Sequence, residues 1–172
     1  MAQQKPARAA EFEGRLLTPR IGADWPGQGG VFIGIIKGEG TQPDYCLIAP
    51  VGLTLAPKRW GPDKKLPAAQ SILDGKANTV AMFAAGSDMA REVVALTHAG
   101  HNDWYIAARN EARIAFAGAP ELWGNSGYRW TSTQDAGWGD AAWAQDFGGG
   151  YQHNWHKLGE FPALVLRRIP IR

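Results

Sequence analysis

Residues 122–157 read LWGNSGYRWTSTQDAGWGDAAWAQDFGGGYQHNWHK, and five of the chain's eight tryptophans lie there: Trp123, Trp130, Trp138, Trp143 and Trp155. Around them sit Gly, Ser, Asn, Asp and Gln, residues that favour turns and exposed loops over cores. Large aromatics among small polar neighbours are the chemistry of a recognition face. The competing reading is a set of core aromatics joined by turns, and it suits Trp130 and Trp143 best. Within the stretch, Tyr128–Thr133 alternates aromatic and hydroxyl residues, and Ala142–Phe147 places Trp143, Gln145 and Phe147 on one face. Both patterns have the period of a β-strand. On this reading Trp143 is core, and the rest of the chain is the scaffold that holds the stretch.

Downstream, Ala163–Ile169 closes the chain as a third strand, with Leu164, Leu166 and Ile169 turned inward. Upstream, Arg109 to Ala117 reads as a helix with Glu111 and Arg113 outward and Ile114 and Phe116 inward; Gly118-Ala119-Pro120 ends it. A further helix runs from Asp88 to about Thr97. Ser87 caps it, Met89, Val93 and Leu96 form its buried stripe, and Gly100 stops it. Asn78 or Thr79 caps a shorter turn through Phe83. Residues 51–78 show little periodicity. Lys58-Arg59 and Lys64-Lys65 surround Trp60, and the segment reads as a long exposed loop. Val31–Ile36 and Tyr45–Ile48, separated by a segment rich in Gly and Pro, read as a hairpin. Residues 1–20 are expected to be an N-terminal arm and residues 21–172 one domain. Strands, then helices, then strands make the class α+β.

Composition narrows the function. The chain has 172 residues, enough for one domain with a substantial core, and its 22 glycines and 11 prolines imply many turns. A net charge of +2 gives no basis for nucleic-acid binding. No apolar run is long enough for membrane insertion, and the first residues lack the apolar region of a secretory signal. The single Cys46 excludes an internal disulfide and reads as a buried strand residue. His153 and His156 are three apart with Asp146 nearby, but the triplet Gly148-Gly149-Gly150 disfavours the helix such a metal pair needs. No metal or other cofactor is expected. Ser132, His153 and Asp146 make a trio that any chain of this length offers, so no catalytic residue is assigned. Binding is assigned instead to Trp138, Asp140, Tyr151, Gln152, His153, Asn154 and Trp155. The rings stack on sugars or protein loops while the polar side chains give directional hydrogen bonds.

Several segments carry a family resemblance. Asn102–Ala112, NDWYIAARNEA, resembles the "DW-[RY]-[LI]-P-[ST]-x-x-E-L" box of a bacterial and phage domain family typified by the C-terminal domain of the collagen-like adhesin of Legionella. Ala107 stands at the usual proline of that box. Arg129–Gln134 resembles the family's "YWSST" strand, Ala142–Tyr151 its "AW-x-x-x-F-x-x-G" strand and turn, and Leu166–Ile169 its closing "VRxVR" strand. The boxes run in order over roughly residues 30–172. The resemblance implies a C-type-lectin-like fold, with two helices flanking a small twisted antiparallel sheet. It places the ligand face between the "WSST" box and the closing strand, here Asp135–Lys157, and assigns Trp104 and Trp130 to the core.

The family is similar to phage tail proteins and to retroelement-diversified receptor-binding proteins. The implied function is a phage virion protein of tail tip, baseplate or fibre that binds a host-surface receptor or glycan. The alternative is a structural tail or capsid-decoration subunit whose aromatic face docks another virion protein. The implied partners are a bacterial surface receptor, protein or glycan, and other virion tail proteins, with homo-oligomer formation left open. The implied place is the virion, after synthesis in the host cytoplasm. Two features of this fold's other members are missing. Gln42-Pro43-Asp44 lies far from the calcium-lectin site and Trp138-Gly139-Asp140 is not Trp-Asn-Asp, so calcium-dependent sugar binding is not expected. The paired cysteines of formylglycine-generating enzymes are absent. Trp138, Gln152, Trp155 and Lys157 are residues that adenine randomisation of Asn-type codons does not produce, so the face is expected to have fixed specificity.

Overall fold

A computed structural model describes residues 11–12, 15–124 and 127–171. Residues 1–10, 13 and 14 of the expected arm lie outside the described residues. In chain order the elements are β1 (Glu11–Phe12), β2 (Arg15–Leu16), β3 (Asp24–Trp25), β4 (Gly30–Ile36), β5 (Tyr45–Pro50), β6 (Lys58–Arg59), α1 (Gly75–Ala84), α2 (Asp88–Val94), β7 (Tyr105–Ile106) and α3 (Arg109–Gly118). They continue as β8 (Tyr128–Gln134), β9 (Ala141–Asp146), β10 (Gln152–His156), β11 (Glu160–Phe161) and β12 (Val165–Pro170). The protein is α+β, and its named strands pair antiparallel.

The hairpin β4–β5 forms as its sequence implies, with Ile36 opposite Tyr45 and Phe32 opposite Ile48. It lies inside a five-stranded sheet of order β3-β4-β5-β12-β7. Every residue of β5 is buried because the sheet is covered on both faces. Cys46 and Ile48 face one way, toward Met82 of α1 and Met89 and Val93 of α2. Tyr45, Leu47 and Ala49 face the other way, toward Ala112 and Ala115 of α3. Burial pushes the Cys46 thiol up to about 11, so it is held protonated as an apolar side chain.

Three α-helices are present among the described residues, where the sequence implies two and a turn. Ser87 caps α2 by accepting from Ala90 N at 3.3 Å. The unforeseen helix is α1, which begins at Gly75 behind the cap Asp74, whose carboxylate accepts from Ala77 N at 2.9 Å. Glycine looks like a helix breaker there. It is needed because a Cβ on Gly75 would lie 2.5 Å from both Ala108 N and Ile106 O. Asn78 and Thr79 do not cap. They bond sideways, Asn78 Nδ2 donating to Ser71 O at 2.7 Å and Thr79 Oγ1 accepting from Ile106 N at 2.9 Å.

Two further expectations are corrected. Residues 51–78 are not an exposed loop throughout: Trp60 is fully buried and donates from Nε1 to Thr131 O at 2.8 Å. A lone indole in a basic segment has no periodicity to reveal that it plugs a core. Glu111 does not face out. It is fully buried, and Oε2 accepts from Ala108 N at 2.6 Å while Oε1 lies 2.7 Å from the Tyr105 hydroxyl and 2.8 Å from the Tyr45 hydroxyl. As the third residue of α3, its side chain reaches back to the first turn, where backbone N–H groups need acceptors.

Candidate binding site

Strands β8, β9 and β10 form a separate three-stranded sheet of order β10-β9-β8. Gln152 pairs with Gln145 and His156 with Ala141, so a segment to which the sequence assigns no strand is the outer strand of a hairpin. Alternate strand residues project to opposite faces, and β10 obeys this. His153 and Trp155 share one face, with ring centroids 6.1 Å apart, and Trp155 meets Tyr128 at 5.3 Å and Phe161 at 5.8 Å. Gln152 and Asn154 lie on the other face, bonded to Arg109 of α3 and to Asp135 respectively. The seven assigned residues therefore do not share one side.

Both ends of β9 carry the same kind of turn. Asp135 Oδ1 accepts from Gly137 N at 2.8 Å and Trp138 N at 3.0 Å. Asp146 accepts from Gly148 N at 3.0 Å and Gly149 N at 2.8 Å. Each aspartate bonds the backbone two and three residues on, which folds a tight turn without regular structure. The first turn lifts Trp138 into solvent, 68% exposed, and the second is followed by Tyr151, 70% exposed. Trp155 is 41% exposed, its remainder covered by Tyr128 and Phe161. Tyr151 and Trp155 are four residues apart on an extended chain, roughly 13 Å at about 3.3 Å per residue. Tyr151 and Trp155 are therefore spread along the hairpin rather than stacked together.

The other assigned side chains have distinct settings. His153 is exposed beside Trp155. Asp140 is exposed, and its Oδ2 lies 3.8 Å from His156 Nε2, which is 3.9 Å from Asp63 Oδ1. Gln152 is half-buried, its Nε2 donating to Arg109 O at 2.7 Å and to Gln145 Oε1 at 3.0 Å. Asn154 donates to Asp135 Oδ2 at 3.1 Å, which ties β10 to the Trp138 turn.

Lys157, the end of the expected face, is fully buried. Its ammonium donates to Lys64 O at 2.6 Å, Gln134 Oε1 at 2.7 Å and Gly139 O at 2.7 Å, and lies 4.7 Å from the Trp60 ring centroid. Burial pushes its pKa down to about 8, with Asp63 and Asp140 opposing. Lys157 is thus a peg that holds the Trp138 turn against residues 64–65, where Gly139 leaves room: a Cβ there would lie 2.9 Å from Lys65 Cβ. Trp143 is half-buried rather than core, because the Arg109 guanidinium covers it at 3.4 Å from the ring centroid.

The paper trio of Ser132, His153 and Asp146 is not assembled. Ser132 is buried and donates to Ala107 O at 3.2 Å, and Asp146 serves its own turn. Among the described residues, no group of three His, Cys, Asp or Glu side chains is placed to hold a metal ion, and no helix is long and apolar enough to cross a membrane. Sequence reading assigns no role to Arg109 and Arg113, and it places Asp135 and Lys157 at the ends of the expected face without showing that they are buried supports of it. The available signals were the four-residue spacing of the arginines on one helix and the repeated Asp-x-Gly at the turns. Comparison with protein-family models, with curated proteins and with solved structures finds no match to this chain.

Proposed function

We propose that this protein is a non-catalytic binding module of C-type-lectin-like architecture. It acts in a phage virion and attaches to a host-surface receptor or glycan through the β9–β10 hairpin. The observation that carries the reading is the exposure of Trp138, Tyr151 and Trp155 on and beside a hairpin whose turns are held by Asp135, Asp146 and Lys157. Exposed rings on rigid turns lose little entropy on binding. Tyr151 and Trp155 alone are roughly 13 Å apart along the strand, longer than one sugar ring, so they suit an extended glycan or a protein surface. The virion setting and the lectin-like fold rest on the sequence resemblance in the boxes from Asn102 to Ile169. The test is fluorescent labelling of intact bacterial cells with the wild type and with Trp138→Ala and Tyr151→Ala. Saturable surface labelling that each substitution weakens supports the reading. Labelling equal in all three proteins removes the hairpin from it.

A second reading is a structural virion subunit. Its specific support is exposed apolar side chains outside the hairpin, Val80 and Phe83 on α1 and Val94 on α2. This reading expects no labelling of cells at micromolar concentration and co-sedimentation with purified tail parts.

A further inference from the structure

Arg109 and Arg113 stand one turn apart on α3, so their side chains leave the same face of the helix. Both aim at one atom. Gln152 Oε1 accepts from Arg109 Nε at 3.0 Å and from Arg113 Nε at 2.9 Å. Gln152 is held in that orientation because its own Nε2 donates to Arg109 O and to Oε1 of the fully buried Gln145. The Arg109 guanidinium is fixed further by the Trp143 ring beneath it.

The arrangement brings like charges together without a counter-ion. Among the described residues, no carboxylate forms an ion pair with either guanidinium. Asp135 is the acid that acts on Arg109, and both its oxygens are already engaged, by Gly137 N, Trp138 N and Asn154 Nδ2. Partial burial, and then the neighbouring Arg113, push the Arg109 pKa down. With each Nε committed to Gln152, the terminal N–H groups of the two guanidiniums remain as donors. Arg113 is exposed, so the pair is open to solvent. Guanidinium forks match the paired oxygens of a carboxylate or a phosphate. An oxyanion between them would offset their repulsion and use donors that Gln152 cannot satisfy.

The geometry points to an oxyanion-binding site formed by Arg109, Arg113 and Gln152 over Trp143, taking a carboxylate or phosphate carried by a surface polysaccharide. The choice of a polysaccharide rests on the attachment reading above. The anion chemistry rests on the arginine pair alone, and the site lies on the face of β10 opposite Trp155.

The experiment is titration calorimetry of the whole chain with oligogalacturonate, with inorganic phosphate and with a neutral oligogalactoside. Binding of oligogalacturonate assigns a carboxylate, binding of phosphate assigns a phosphoryl group, and either supports the site if the neutral sugar does not bind. Arg113→Gln should weaken the binding probe by at least about tenfold. Lys76→Gln, which removes the same charge from an exposed position on α1, should leave it unchanged. Arg113→Gln should also melt at or above the wild type without probe, because one repelling charge is gone, and below it with saturating probe. The proposal is overturned if neither acidic probe binds at millimolar concentration, if Arg113→Gln binds as tightly as wild type, or if Lys76→Gln loses as much. Trp138→Ala separates the two readings. It should keep probe binding, so loss of cell labelling with probe binding intact bears on the hairpin, and the reverse bears on the arginine pair.

Discussion

Tyr105 donates its hydroxyl to Glu111 Oε1 across 2.7 Å inside a fully buried setting. The Tyr45 hydroxyl is also near Oε1, at 2.8 Å, and lies 2.6 Å from Leu73 O. A hydroxyl has one proton. When Tyr45 donates to Leu73, a protonated Glu111 completes the chain by donating to the Tyr45 oxygen. Burial, the dominant effect, raises the Glu111 pKa from 4.5 to about 7 against the lowering influence of Ala108 N–H, the tyrosines and Arg168.

A pH dependence of stability follows. Between pH 4.5 and about 7 the folded state holds a proton that the unfolded state has released. Unfolding there releases the proton, so stability falls as pH rises. The Glu111 contribution is fully present below its unfolded value and lost as pH passes its folded value, a change on the order of 3 kcal/mol. Urea unfolding of the wild type and of Glu111→Gln at pH 5 and pH 8 checks it. The advantage of the wild type over the variant should shrink by about 2.5 kcal/mol at the higher pH, the rest being lost already at pH 5. A gap independent of pH would mean that Glu111 does not titrate in this range.

Stability and binding should separate at the hairpin rings. Trp138→Ala and Tyr151→Ala leave no cavity, so each should change stability by no more than about 0.5 kcal/mol. Each should weaken attachment by roughly thirtyfold if the ring is a central contact. Trp155→Ala should also cost about 1 kcal/mol of stability, through its edge-on contacts with Tyr128 and Phe161. Trp130, fully buried, is the contrast: Trp130→Ala should cost about 3–5 kcal/mol. Thermal melts beside cell-binding curves read both effects.

Asp135→Ala removes the acceptor for Gly137 N, Trp138 N and Asn154 Nδ2 together. It should destabilise by about 1–2 kcal/mol and loosen the turn under Trp138. Hydrogen exchange at Gly137 and Trp138 should accelerate while exchange in β5 stays slow. Uniform acceleration across the chain would instead show that Asp135 supports the whole fold.

Lys157→Met keeps the apolar stem but leaves Lys64 O, Gln134 Oε1 and Gly139 O without the ammonium. Losing three charge-assisted hydrogen bonds, one of them to the buried Gln134, should cost about 2 kcal/mol, measured by chemical denaturation. A neutral outcome would show that water replaces the ammonium.

The sequence by itself determined the α+β class, the β4–β5 hairpin, the Ser87 cap and two strands of the 122–157 stretch, β8 and β9, but not β10. These follow from periodicity, β-branched runs and capping chemistry, which act between residues close along the chain. Only the tertiary structure decided where Trp60, Glu111 and Lys157 go, because each is polar or isolated in its local segment and its burial needs at least one partner far away in sequence. Thr131 receives Trp60, Tyr45 and Tyr105 surround Glu111, and Lys64 meets Lys157. The same distinction governs the site. Local composition marks Trp138 and Tyr151 as surface rings. Strand pairing across β9–β10 puts Trp155 and Gln152 on opposite faces, and the packing of α3 against β9 brings Arg109 and Arg113 to Gln152. Register and helix docking are properties of the folded sheet, and no short stretch of the chain encodes them alone.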